Sequence, residues 1–310
     1  MTYRQSSPYA PSPRPLRPQR PSVSRPSRPP RAPRGRARLT RRGRLALLLG
    51  AVVAVTAVIT VPMILLPDDE PAAVEQPRSL VVPEGRRAGQ VYTAVDRALG
   101  LPEGTARKAA AAPAVDLPLP AAAEGNPEGY LFPATYPVVD ATTPEALLRY
   151  MVDTAGKRFG TARIAEGAKE HGMSAYEAVI AASIVQAEAD SPGDMAKVAR
   201  VVHNRLAQGM PLQMDSTLNY ALGRSTVDTT VADTKIANPY NTYERKGLPP
   251  TPIGNPGEQA MDAVIRPADG DWLYFVTVGP GDTRFTADYG LHQENVAEFN
   301  ANRREARAAG

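Results

Sequence analysis

Glu188 stands near the end of the segment 174–190 (SAYEAVIAASIVQAEAD), whose stretch from Ala178 to Ala187 carries no charge. Ser174 and Glu177 stand at capping-box spacing, so a helix is expected to start there. Ala181, Ile184, Val185 and Glu188 then recur on one helical face, which puts a carboxyl group on an apolar stripe. Burial disfavours the charged form of a carboxyl and raises its pKa, the property a proton donor needs at neutral pH. On this helix alone Glu188 reads first as a frayed last-turn residue facing water. His171, His203 and His292 have no metal-ligand spacing and read as structural, so no metal is expected.

The elements that must position such an acid begin well inside the chain. Of its 36 basic residues, thirteen arginines fall within 1–44, together with ten prolines and no acidic group, leaving 23 basic against 32 acidic residues beyond. That tail cannot build a core and is expected to be disordered. Arginine-mediated nucleic-acid binding is the weaker reading of its charge, because the next segment supplies a simpler one. Residues 45–66 (LALLLGAVVAVTAVITVPMILL) are free of charge and long enough to span a bilayer. Arg41, Arg42 and Arg44 precede the run and Asp68, Asp69 and Glu70 follow it, which sets the tail inside and the body outside. A cleaved signal peptide competes, but the apolar run is longer than a signal core of about 7–15 residues. The absence of cysteine excludes disulfides and thiolate metal sites.

After a linker at 67–78, residues 79–101 read as a strand, a turn at Pro83-Glu84-Gly85 and a helix with Val91, Val95 and Leu99 inward. Residues 129–139 (GYLFPATYPVV) read as an edge strand or a wall of turns. Thr143-Pro144-Glu145 and Ser191-Pro192-Gly193-Asp194 each start a helix. A short helix at 162–171 stands between them, and Gly209 ends the last. Two helices therefore meet at a corner just after Glu188. From 210 to 257 helical pattern disappears in favour of Asn, Pro, Gly and Tyr, an irregular length that suggests a site. A strand at 272–278, a turn, a return strand at 283–286 and a polar helix at 290–308 close the chain.

Several segments in order, EGYLFPATYPV (128–138), ASIVQAEA (182–189), VARVVHNRLAQGMPLQMDSTLNYAL (198–222), NPYNTYERKGLPPTPIGNPG (238–257) and DWLYFV (271–276), resemble those of the endolytic murein transglycosylases, the MltG or YceG-like family. LVVPEG (80–85) is similar to the segment joining that family's small LysM-like domain to its catalytic domain. The resemblance implies an α+β fold: a membrane-anchored, helical and loop-rich catalytic domain at 126–310 with a small β-sheet, preceded by a reduced LysM-like subdomain and connector at 79–125. It also implies an endolytic lytic transglycosylase, located in the cell membrane with its catalytic domain outside, that cuts peptidoglycan glycan strands between N-acetylmuramic acid and N-acetylglucosamine, leaves 1,6-anhydro ends and terminates nascent strands.

Carried over by motif, Glu188 is the catalytic acid. The first acid of the family's A-S-I-[IV]-E-x-E segment is Gln186 here, which argues against a paired-carboxylate mechanism. Gln213 and Asp215, Asn204, and Asn241, Thr242, Tyr243 and Asn255 are candidate substrate-binding residues, each also readable as a cap or a turn-holding amide. Expected partners are glycan strands and, for the tail, cell-wall synthases or division and elongation proteins; no cofactor is expected. A pyridoxal-phosphate lyase would need a buried Schiff-base lysine, and the six lysines stand mostly in polar contexts. The alternative from another class is a non-catalytic, membrane-anchored peptidoglycan-binding or divisome scaffold protein, prompted by the shortened LysM-like region.

Overall fold

A computed structural model describes residues 78–112, 115–224 and 229–309. The expected tail at 1–44, the apolar run at 45–66 and the linker up to residue 77 lie outside these residues. No helix among the described residues is long and apolar enough to cross a membrane.

The fold is α+β. Strand β1 (Arg78–Val81) pairs antiparallel with β2 (Thr135–Val138), Leu80 standing opposite Tyr136. Between them lie α1 (Ala88–Leu99), which buries Val91 and Val95, and the short α2 (Thr105–Ala110). These N-terminal elements share one apolar core with the helices that follow. Thr143 caps α3 (Pro144–Phe159), accepting the Ala146 N–H at 3.2 Å, and proline fills its first position. Helix α4 (Ala162–Glu170) follows.

Helix α5 (Ala175–Glu188) is opened by the capping box its sequence predicts: the Glu177 N–H donates to Ser174 Oγ at 3.2 Å, and the Ser174 N–H donates to Glu177 Oε2 at 2.8 Å. The expected one-sided stripe is exceeded, because every residue from Ala178 to Val185 is buried. A helix that is apolar all round must be enclosed by other elements, and α4, α6 (Pro192–Ala207) and α8 (Glu258–Ile265) enclose it. Even its one interior hydroxyl is satisfied, Ser183 Oγ donating to Ile180 O and accepting the Ile253 N–H at 3.0 Å.

The stretch 210–257 is less irregular than its composition suggests. Asp215–Ala221 forms helix α7, held in place by Thr242, whose Oγ1 accepts the Met214 N–H at 3.0 Å. Helix α8 has no counterpart in the sequence reading. Both are too short to form from local propensity alone; burial of Thr217 and Leu218 on α7 and of Ala260, Met261 and Val264 on α8 supplies the stabilisation. Strands β3 (Tyr274–Gly279) and β4 (Asp282–Thr286) make a hairpin. Helix α9 (Tyr289–Ala309) packs on β3. Arg284 fastens the hairpin to α9, donating from both terminal nitrogens to Glu298 at 2.7 and 2.9 Å.

Candidate active site

The last turn of α5 delivers Glu188 to a groove of about 850 Å³. Leu212, Gln213, Met214 and Asp215 line it from the segment leading into α7, and Tyr243 from the loop behind; the remaining lining comes from Arg205 of α6, from β3 and from one face of α9. The residue keeps some accessible surface because the groove reaches it. Its carboxyl is nevertheless so closely surrounded that desolvation dominates its proton affinity, and the pKa is raised. The neighbouring Asp215 charge pushes the same way, while Ser216 opposes both. The Ser216 N–H, one of the donors in the first turn of α7 without an intrahelical acceptor, donates to Glu188 Oε1 at 3.3 Å. An acid whose proton affinity is raised by burial is thus held at the edge of solvent, oriented by the start of a second helix.

Around it the backbone is fixed by Arg205 on α6. This buried guanidinium donates to the carbonyls of Leu273, Pro211 and Leu212 at 2.6, 3.1 and 2.8 Å, and to Gln213 Oε1 at 3.1 Å. It therefore ties the residue just before β3 to the segment that carries Gln213 and Asp215. Gln213 has a left-handed backbone (φ 53°) and an exposed side chain on the groove. The Tyr243 hydroxyl donates to Asp215 Oδ1 at 2.6 Å, and burial together with that bond raises its pKa. Asp215 is thereby an oriented acceptor beside the acid.

Of the residues singled out in the sequence, Glu188, Gln213, Asp215 and Tyr243 meet on this groove, and the other four do not line it. Asn204 Nδ2 donates to Gly270 O and Trp272 O at 3.2 and 2.9 Å. Asn241, fully buried, donates to Thr234 O and Ile236 O and accepts the Tyr243 N–H at 3.0 Å. Thr242 holds α7 from behind. Asn255 accepts the Leu131 N–H at 2.8 Å and donates to Arg86 O at 2.7 Å, which knits three distant segments together. Gln186, in the place of a second acid, accepts the Gly257 N–H at 2.9 Å and so anchors the Asn-Pro-Gly turn.

Arg205, Ser216, Tyr274 and Tyr289 are groove or near-groove residues that the sequence reading missed. Arg205 directly follows Asn204 in the HNR segment, a signal that was available. His203 is structural, its Nε2–H donating to Val264 O at 2.8 Å, whereas His292 lines the groove.

Fold and site together define an α+β protein built around one helix-borne acid that is presented to an open groove. Residues 64–298 match the YceG-like family, and the chain belongs to that family. It is 35% identical over 179 residues to a Bacillus subtilis (strain 168) protein named endolytic murein transglycosylase, covering 57% of this chain and 49% of that one. A Streptococcus pneumoniae (strain D39) protein of the same name is 34% identical over 177 residues, covering 55% of this chain and 32% of that one. The matches thus span about half of the first relative and a third of the second. A 2.6 Å crystal structure of a yceG-like protein from Listeria monocytogenes superposes with a TM-score of 0.61 at 30% identity, covering 70% of this chain and 75% of that one.

Proposed function

We propose that this protein is an endolytic lytic transglycosylase of peptidoglycan glycan strands, with Glu188 as its single catalytic acid. The observation that carries the reading is the placement of Glu188: a carboxyl whose pKa is raised by desolvation, yet open to a groove large enough for more than one sugar ring. The relatives named endolytic murein transglycosylase support the substrate class. In the reaction Glu188 gives its proton to the glycosidic oxygen as the C1–O bond breaks. The resulting carboxylate takes the proton of the muramic acid C6 hydroxyl, whose oxygen closes on C1 and leaves a 1,6-anhydro end. The substrate provides its own nucleophile, so the two-carboxylate arrangement of hydrolases is not required. Beyond desolvation, the charge of Asp215, held by Tyr243, adds to the raised proton affinity of Glu188.

The same reading places the protein in the cell membrane, the tail inside and the described body outside, where it would cut nascent strands near the bilayer and terminate their growth. It is supported by the charge-free run at 45–66 and the arginines before it. Residues 79–125 then stand as a reduced LysM-like region and connector, and the tail as the contact for synthases or division proteins.

The test compares the full-length chain with Glu188→Gln on uncrosslinked glycan by mass spectrometry of the products. Wild type is expected to release 1,6-anhydromuramic ends and the variant none; equal release by both refutes the assignment. The native lack of cysteine makes topology directly measurable. A membrane-impermeant maleimide should label Ala306→Cys but not Ser7→Cys in intact cells, and the opposite pattern would reverse the orientation.

A further inference from the structure

The groove surface formed by β3 and α9 has a construction that positioning Glu188 does not require. Tyr289, His292 and Val296 recur along α9 at intervals of three and four, so one face of the helix lines the groove. Tyr274 of β3 reaches into the same surface, its ring engaged by two neighbours. The Arg205 guanidinium lies 5.1 Å from its centroid, and the His292 ring stacks on it at 5.0 Å with planes only 20° apart. Tyr289 continues the cluster, its centroid 5.4 Å from that of Tyr274, but it is tilted by 51° and remains 58% exposed. His292 Nδ1 is buried and has no hydrogen-bond partner among the described residues.

Docking of the helix does not account for the open ring. Arg284–Glu298 already clamps hairpin to helix, Asn302 Nδ2 donates to Val278 O at 3.0 Å, and Phe275 stacks on Phe285 within the hairpin. An aromatic ring backed by fixed neighbours and left open on a groove suits a ligand with one apolar face and a polar rim. A pyranose ring is such a ligand: its axial C–H bonds lie on a ring face, and its hydroxyl and N-acetyl groups project from the edge.

We propose that Tyr289, braced by Tyr274 and His292, is the stacking platform of a sugar-binding subsite that holds the glycan strand while Glu188 acts on it. This rests on the glycan-cleaving reading above and specifies one contact within it. The ring face, not the hydroxyl, carries the interaction.

The experiment measures binding of chitotetraose, a peptide-free N-acetylated saccharide, by calorimetry to the full-length chain carrying Glu188→Gln, so that nothing is consumed. Tyr289→Ala added to this background is expected to weaken binding roughly tenfold, by analogy with the loss of one stacked ring, while Tyr289→Phe stays near the parent. The melting temperature of each variant confirms the fold, and Tyr289 is exposed enough that truncation leaves it intact. Unchanged affinity in Tyr289→Ala overturns the platform. So does Tyr289→Phe binding as weakly as the alanine variant, because the hydroxyl would then be the contact. If binding depends on the ring while the Glu188→Gln chain still releases anhydro ends, the catalytic assignment fails and the platform stands. If Glu188→Gln is inactive and binding ignores Tyr289, the reverse holds.

Discussion

Replacing Glu128 by glutamine should alter how stability responds to pH. Glu128 is 4% exposed. Its Oε1 accepts the Ala88 N–H at 2.8 Å, and its Oε2 accepts the Tyr220 hydroxyl at 3.1 Å. Burial pushes its pKa from 4.5 up to about 7, outweighing these bonds and the charge of Arg87. Between those two values the folded protein retains a proton that the unfolded chain has released. The stabilising contribution is therefore complete below pH ~4.5 and is lost as pH rises through about 7. At ~1.4 kcal/mol per pH unit the loss amounts to about 3 kcal/mol. Glutamine has no proton to release, so the variant lacks this decline. Glu188 titrates in both proteins and cancels from the comparison. Urea unfolding of both full-length chains in detergent from pH 4.5 to 8.5 measures it: the stability difference should grow in favour of the variant by about 3 kcal/mol across that range. Parallel curves would refute the buried, proton-retaining state of Glu128.

Three further outcomes can be checked. Asp215→Asn removes the charge beside Glu188 and lowers its pKa; because the acid must be protonated to act, the alkaline limb of the pH–activity profile should move to lower pH, and an unmoved limb would disconnect the two residues. Asn255→Ala should cost about 1–3 kcal/mol in denaturant unfolding, since it strands the buried Leu131 N–H while the residue-255 backbone N–H still serves the Arg86 carbonyl, and chitotetraose affinity of the folded protein stays unchanged. Gly129→Ala should lower stability by about 2–4 kcal/mol, read as a fall in melting temperature, because φ is +87° there and a Cβ would stand 2.6 Å from the Pro252 side chain.

Elements whose boundaries are written in local chemistry were legible in the sequence. Ser174 with Glu177, Thr143 with Pro144, and Ser191 with Pro192 each place a helix start to the residue. Helices α7 and α8 were not legible, because their stability comes from groups far along the chain: Thr242 and Glu188 accept the amides at the start of α7. The candidate site divides the same way. Glu188 was singled out because a carboxyl on an apolar helical face needs an explanation, but its catalytic role came from the family motif and not from the helix. Asn204, Asn241 and Asn255 look alike in sequence whether an amide faces a sugar or a backbone carbonyl, and only the folded chain shows carbonyls and amides as their partners. The groove surface on β3 and α9 was hidden for another reason, since nothing in the alternation of β3 says which element its face will meet.

The enclosure of α5 on every side has a consequence for how this chain can vary. One residue inserted within 175–187 would turn Glu188 by about 100° and advance it ~1.5 Å along the axis, carrying it off the groove, and the surrounding helices leave no slack to absorb the shift. Volume-matched exchanges inside the helix can be tolerated. Changes of length cannot, and must fall in the connecting loops on either side.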